Sequence, residues 1–302
     1  MRISEKIRYT SIKNEMQKME NVYIDESVNP IEVMKISDAM ISDYSSLVPQ
    51  YYVTGKPILC LNGKRLLDGK INQYYKLADK YLVREYVKEC GCGDTLVGLV
   101  NCYLRGEDLV YSDLPERFAL KANWGAGMNL ICMDKSLYAE KTLRNQIDDW
   151  LSSPKYAFSE RHYNLISRKI VCEEFIDDGT GGFPIDYKFI CLKGEIMAIL
   201  VCNDRESGHA DYIPYDIDWN PLFDYCIASH EVSELVSRPA NLAQMLSCAK
   251  KLAAGIDMVR VDLYSNGSKI WFGEMTLTPD GCIFRRWSQK AIDEMGEYYR
   301  TH

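Results

Sequence analysis

Near the end of the chain, Val259-Arg260-Val261-Asp262-Leu263 alternates charged with aliphatic residues, and Ile270-Trp271-Phe272-Gly273-Glu274 returns after the turn Ser265-Asn266-Gly267-Ser268. In a hairpin, side chains two apart share a face, so Arg260 and Asp262 project together and Glu274 can approach Asp262 from the paired strand. Two carboxylates held close repel unless a cation lies between them. Hard oxygen ligands around an incomplete shell suit Mg²⁺ that also carries nucleotide phosphates. Arg260 beside them could stabilise a phosphoryl group in transfer. An ordinary solvated hairpin with an idle charged face has the same pattern.

Three other segments could serve the same chemistry. Phe118-Ala119-Leu120-Lys121 reads as a strand that delivers a lysine into Asn123-Trp124-Gly125-Ala126-Gly127, where small residues let backbone N–H groups approach phosphate oxygens. Lys121 would add positive charge near the α- or β-phosphate, although Gly-x-Gly alone also marks a plain turn. Val171-Cys172-Glu173-Glu174-Phe175-Ile176 is an aliphatic strand with adjacent acids. Its backbone could pair with an adenine edge while a carboxylate takes ribose hydroxyls. Asp186-Tyr187-Lys188-Phe189, with Asn203-Asp204-Arg205 on the next strand, would line the same cleft with two cations or form a cross-strand ion pair.

The elements that must position these residues fall into two groups. From Asn21 to Asn62, a β-rich run, a helix opened by Pro30, Ala39–Asp43, a second helix and Pro57–Leu61 make a β-α-β-α-β rhythm and hence a parallel sheet. Lys64 to Lys76 is polar and basic, with Gly63 just before it and Gly69 within it, a composition suited to a linker, and the domain boundary is placed there, giving domains 1–66 and 67–302. Beyond it the pattern predicts helices over Lys80–Lys88, Asp134–Leu151 and Pro239–Gly255. Strands are predicted over Lys169–Ile176, Ile185–Leu192, Ile196–Asn203, Met258–Tyr264 and Lys269–Met275. Gly179–Pro184 reads as a mobile loop. The fold class is therefore α/β followed by α+β, a partial Rossmann-like β-α-β unit before a nucleotide-binding domain.

Composition narrows the partners. A chain of 302 residues, 47% of them hydrophobic, can bury a substantial core. Lys and Arg number 36 against 43 Asp and Glu, a net charge of −7 with no basic run, which argues against nucleic acid. No apolar run is long enough to span a bilayer and the first residues do not read as a signal peptide, so a cytoplasmic protein is expected, with a peripheral place at the inner face of the membrane compatible with that. The eleven cysteines have no zinc spacing and read as reduced thiols; the four histidines share no metal-ligand spacing.

In this order the segments resemble the ATP-grasp superfamily, specifically its teichuronopeptide-biosynthesis (TupA-like) branch, over about residues 70–299. The stretches that carry the resemblance are Ala78-Asp79-Lys80-Tyr81-Leu82-Val83-Arg84, Phe118 to Gly127, Val171 to Asp177, Asp186-Tyr187-Lys188-Phe189, Val259-Arg260-Val261-Asp262 and Phe272-Gly273-Glu274-Met275-Thr276. The resemblance implies an ATP-grasp fold in which Lys80 and Lys121 hold ATP phosphates with the loop of Asn123, Gly125 and Gly127. Glu173, Glu174, Phe175 and Ile176 would meet adenine and ribose, and Asp262 and Glu274 would hold magnesium. Arg260, Lys188 and Arg205 would surround the transferring phosphoryl group. Many members carry an Asn two residues after the Glu as a third metal ligand; here Thr276 stands in that place, a weaker ligand.

The implied reaction is ATP-dependent conversion of a carboxylate to an acyl phosphate, followed by attack of an amine. An amino acid and a uronic-acid-containing cell-surface polymer or precursor are the implied substrates, with envelope-synthesis proteins as partners. Residues before about 62 resemble instead the C-terminal part of CDP-glycerol glycerophosphotransferases of GT-B fold, through Ile36–Ser46 and Gly55-Lys56-Pro57-Ile58. In that likeness Asp43-Tyr44-Ser45-Ser46 would meet donor phosphates, although Ser45 could equally be a helix cap. Two other functions stay open: a glycosyl- or glycerophosphotransferase component of envelope synthesis, and a nucleotide-binding subunit without catalysis.

Overall fold

The computed structural model describes residues 18, 40–42, 58–60, 74–154, 160–179, 181–203, 211–226, 235–279 and 286–302. The chain divides into two compact units, Met1–Asp68 and Gly69–His302. In the first, β1 (Met40–Ser42) and β2 (Ile58–Cys60) pair in parallel, Met40 opposite Ile58. That is the pairing a β-α-β rhythm requires. The remaining elements expected there, and Asp43 to Ser46, lie outside the described residues.

The second unit begins with two short helices, α1 (Tyr75–Ala78) and α2 (Val83–Glu89). The predicted helix from Lys80 starts three residues late, because Asp79 Oδ1 accepts from the backbone N–H groups of Tyr81 and Leu82 and holds them as a turn. Strands β3 (Leu99–Tyr103), β4 (Phe118–Ala122) and β5 (Asn129–Cys132) follow, then α3 (Glu140–Ser152) and β6 (Ile170–Glu174). The four strands form an antiparallel sheet in the order β3-β6-β4-β5. The helix expected from Asp134 is split: Lys135–Leu137 is a 3-10 turn capped by Asp134, and α3 buries Leu143 and Ile147, one turn apart.

A second antiparallel sheet contains β7 (Asp186–Leu192), β8 (Glu195–Asn203) and β9 (Asp211–Tyr215), then, after α4 (Leu242–Ala253), β10 (Met258–Ser265) and β11 (Ile270–Thr276). Its order is β11-β10-β7-β8-β9. The chain closes with α5 (Gln289–Thr301), capped by Ser288.

Alternation divides the second sheet into two faces with different tasks. Phe189, Cys191, Ile199, Val201, Val259, Val261 and Leu263 join the main core beneath α4, whose Leu242, Met245, Ala249 and Leu252 are buried against them. On the other face Ile190, Leu192, Ala198 and Leu200 pack with Trp287 and with Ala291 and Met295 of α5. Lys188, Arg260 and Asp262 share that second face by their even positions. The helix therefore covers the apolar end of this face, while the charged residues belong to the same face farther along the strands.

Candidate functional site

The β10–β11 register sets Asp262 opposite Glu274 and Arg260 opposite Thr276. The ladder slips just past Asp262, leaving Gly273 as the extra residue of a bulge. A Cβ at Gly273 would stand 2.9 Å from the Tyr264 ring and 3.0 Å from the Asp262 carbonyl oxygen, so the bulge needs glycine for space. Arg260 donates through Nε and Nη2 to the two oxygens of Asp262, both at 2.7 Å, and through Nη2 to Glu274 Oε1 at 3.0 Å. Its Nη1 donates to none of the described residues. From β7, Lys188 Nζ donates to Asp262 Oδ2 at 2.7 Å and to Asp186 at 2.5 Å. Asp186 is a member that the charge pattern had not singled out. Thr276 donates its hydroxyl to Glu274 Oε1 at 3.2 Å, so in this arrangement it orients a carboxylate.

The first sheet contributes a second charged group. Lys121 and Glu173 lie on one face of adjacent strands, in diagonal positions of the β4–β6 register, and Lys121 Nζ meets Glu173 Oε2 at 2.8 Å. Arg84 of α2 takes the other Glu173 oxygen at 3.0 Å and the Val97 carbonyl at 2.7 Å. Glu173, expected at ribose, is buried and shared between these two cations. Glu174 ends the strand exposed against Gly98, whose carbonyl accepts from its N–H at 2.8 Å. Phase explains the exchange: Glu173 faces Lys121, and its neighbour faces away. Phe175 and Ile176 follow β6; the Phe175 ring lies 4.9 Å from the Arg117 guanidinium. Arg84 was visible only as part of a family-like stretch, since no local pattern pairs it with Glu173, 89 positions away.

Lys80 joins the two groups. Its Nζ donates to the Gly125 carbonyl at 2.8 Å and lies 3.3 Å from Glu274 Oε2. The loop it holds links β4 to β5, closed by Ala122 N–H to the Met128 carbonyl at 2.9 Å. Gly125 and Gly127 have φ of 66° and 80°, a region that side chains disfavour. Asn123, expected among the phosphate contacts, is fully buried. Its Nδ2 donates to Asp79 Oδ1 and the Ser167 carbonyl, and its Oδ1 accepts from Lys169 N–H. Its side chain anchors the loop. Asn123→Ala is expected to lower stability by roughly 1–3 kcal/mol, the usual cost of leaving buried partners unpaired; an unchanged urea midpoint would sink that role. Arg205 lies outside the described residues.

Electrostatics hold the site ionised. Burial alone would raise the Glu274 carboxyl, but Lys80, Arg260 and Lys188 together bring it to about 2. Desolvation opposes the charge on Lys188 and Arg260 as well, yet Asp262 and its neighbours push both above their ordinary values. A folded carboxyl pKa below the unfolded value adds stability that is fully present above about 4.5 and lost as pH falls towards 2. Acid titration of the Glu274→Gln protein should therefore lose part of the wild-type drop in stability across that window. Identical pH profiles for the two proteins would contradict it.

Among the described residues no group of three or more His, Cys, Asp or Glu side chains is arranged to hold a metal. Asp262 and Glu274 nonetheless each place an oxygen within 3.0 Å of a single Arg260 nitrogen, so the pair is close enough to share one cation. With phosphate oxygens and water completing the shell, that donor set fits Mg²⁺. Among the described residues no helix is long and apolar enough to cross a membrane, and the nine cysteines from Cys90 to Cys248 are free thiols.

A family model described as TupA-like ATPgrasp matches residues 61–300, and one described as CDP-Glycerol:Poly(glycerophosphate) glycerophosphotransferase matches residues 5–62. Among solved structures, D-alanine--D-alanine ligase from Bacillus anthracis is similar at 13% identity over 100% of this chain and 96% of that one, with a TM-score of 0.42. Its ATP complex gives 14% identity, 99% and 90% coverage, and 0.44. D-cycloserine synthetase DcsG gives 11%, 92% and 86%, and 0.43. At such distances no residue role is carried across. No curated protein matches the chain.

Proposed function

The chain belongs to the TupA-like ATP-grasp family and carries its ligase fold, and on that premise we propose that it is an ATP- and Mg²⁺-dependent carboxylate–amine ligase. One observation carries this reading: Lys80 ties the glycine loop to Glu274, so a phosphate-binding loop and a carboxylate pair meet in one place. Among the described residues Lys121 spends one of its three N–H groups, on Glu173, and the other two would serve phosphate oxygens. Among the described residues Lys188 has one without a partner, and Arg260 has Nη1. These donors converge as preorganised positive charge where phosphoryl transfer builds negative charge. Magnesium held by Asp262 and Glu274 would neutralise phosphate charge.

In the reaction, a substrate carboxylate oxygen bonds to the γ-phosphorus as the bond to ADP breaks, giving an acyl phosphate. An amine then attacks the acyl carbon, phosphate leaves, the amine proton passes to solvent and an amide remains. The motif resemblance favours an amino acid and a uronic-acid-containing envelope polymer or precursor as the two substrates. Calorimetric titration with ATP, with and without Mg²⁺, should show magnesium-dependent binding; a wild-type protein that binds no ATP would end this reading. A transferase component is favoured only by the match over residues 5–62, and absence of CDP-glycerol binding would remove it.

A further inference from the structure

Asp79 is 1% exposed, and its hydrogen-bond donors among the described residues are uncharged, a costly place for a carboxylate. Burial accordingly raises its carboxyl above the ordinary value, against the N–H groups of Tyr81, Asn123 and Leu82 and the nearby charge of Lys169. One oxygen, Oδ1, takes all three donors: Tyr81 N–H at 2.8 Å, Asn123 Nδ2 at 2.9 Å and Leu82 N–H at 3.2 Å. Tyr81 and Leu82 belong to the turn that carries Lys80, whereas Asn123 is the root of the glycine loop. Two more bonds join the same segments. Lys80 N–H donates to the Asn123 carbonyl at 2.9 Å, and Lys80 Nζ to the Gly125 carbonyl at 2.8 Å. The start of β6 backs the junction: Lys169 N–H donates to Asn123 Oδ1 at 2.8 Å, and Lys169 Nζ lies 4.4 Å from the centre of the Tyr81 ring. Lys80 is thus fixed to the loop at both ends, by its backbone and by its ammonium.

We propose that Asp79 is a positioning residue for nucleotide binding: through one oxygen it joins the Lys80 turn and the glycine loop into a single unit aimed at the phosphates. The proposal rests on the ligase reading and adds to it a residue that touches no phosphate itself. Asp suits the task by reach, because its short side chain accepts from N–H groups two and three positions on and still has a lone pair for a partner from another segment. It suits the task by charge as well, since an ionised acceptor makes shorter and stronger bonds than an amide oxygen. The Lys80 ammonium stands at the end of a four-carbon stem. A turn that rotates against the loop therefore displaces Nζ more than it displaces the backbone, and draws it away from Gly125 and from Glu274, 3.3 Å distant. Asp79 sets the angle between turn and loop, and so the place where the ammonium and the loop N–H groups converge.

Calorimetric titration of the full chain with ATP and Mg²⁺ tests this on the wild type, Asp79→Ser, Asp79→Asn, Lys80→Met and the double variant Asp79→Asn, Lys80→Met. Asp79→Ser keeps a hydroxyl that can accept from the turn but is too short to hold Asn123 as well, and should weaken ATP binding about tenfold or more. Asp79→Asn keeps an oxygen in the same place without the charge. It should weaken binding by about three- to tenfold, and it carries the test should the serine variant fail to fold. The factor lost on Asp79→Asn should shrink at least twofold when Lys80 is already methionine, because part of it acts through the ammonium; a purely structural lesion would cost the same factor in both backgrounds. An ATP affinity within twofold of wild type in the folded Asp79 variants, even with a lowered urea midpoint, overturns the proposal. So does an equal factor in the two backgrounds, and both results leave the ligase reading intact. A wild-type protein that binds no ATP ends the ligase reading, and this proposal with it.

Discussion

Glu274→Gln should lower ATP-dependent product formation by about 10²- to 10³-fold, the scale on which removal of one preorganised electrostatic group acts. The substitution keeps the shape of the side chain and removes its charge. Three cations, Lys80, Arg260 and Lys188, hold Glu274 ionised. In the neutral variant Lys80 loses the anion 3.3 Å from its Nζ, and Arg260 keeps only Asp262. Two consequences should then separate: ATP affinity falls in the presence of Mg²⁺, and much less in its absence. Steady-state phosphate release with ATP and a carboxylate, measured beside calorimetric titrations with and without Mg²⁺, checks both. Turnover equal to wild type would remove the β10–β11 carboxylates from the mechanism.

The sequence reveals this hairpin because its signal is local. Period-two alternation through Arg260 and Asp262, a four-residue turn and the return at Glu274 specify a register that the pairing of Asp262 with Glu274 realises. Four of the five strands of the second sheet, β7, β8, β10 and β11, were legible for the same reason, with no end displaced by more than one residue, whereas β9 was not expected. What could not be read were relations across long separations. Glu173 and Glu174 look interchangeable along the chain, and only the β4–β6 register decides that Glu173 faces Lys121. Asn123 carries the composition of a ligand loop, yet its partners Asp79, Ser167 and Lys169 lie more than 40 positions away, and they turn it into an anchor. Helix α5 escaped because its buried stripe holds just Ala291 and Met295 in a charge-rich, glycine-containing run. Strand β3 was missed for a related reason: its burial alternates weakly, with Leu99 40% exposed.

Lys121→Met should weaken ATP binding by about ten- to a hundredfold, as expected when one charge-assisted contact of roughly 1.5–3 kcal/mol is lost from a partly buried site. The argument depends on what Glu173 does. Desolvation opposes the Lys121 charge, and Glu173, with Tyr264 and Glu274, more than restores it, so the ammonium pKa stays above its usual value. Glu173 therefore holds Lys121 charged and aimed along the sheet face, while two of its N–H groups have no partner among the described residues and would meet phosphate in the proposed site. In Lys121→Met the fold should persist, because Arg84 still occupies the other oxygen of Glu173 at 3.0 Å and the methionine stem fills the space of the lysine stem. Unlike the change at Glu274, the loss should appear equally with and without Mg²⁺, since no carboxylate of the β10–β11 pair is altered. Calorimetry on the variant distinguishes the cases: an ATP affinity within twofold of wild type would show that the Lys121–Glu173 pair is a structural ion pair, and would move phosphate binding to Lys80 and the glycine loop alone.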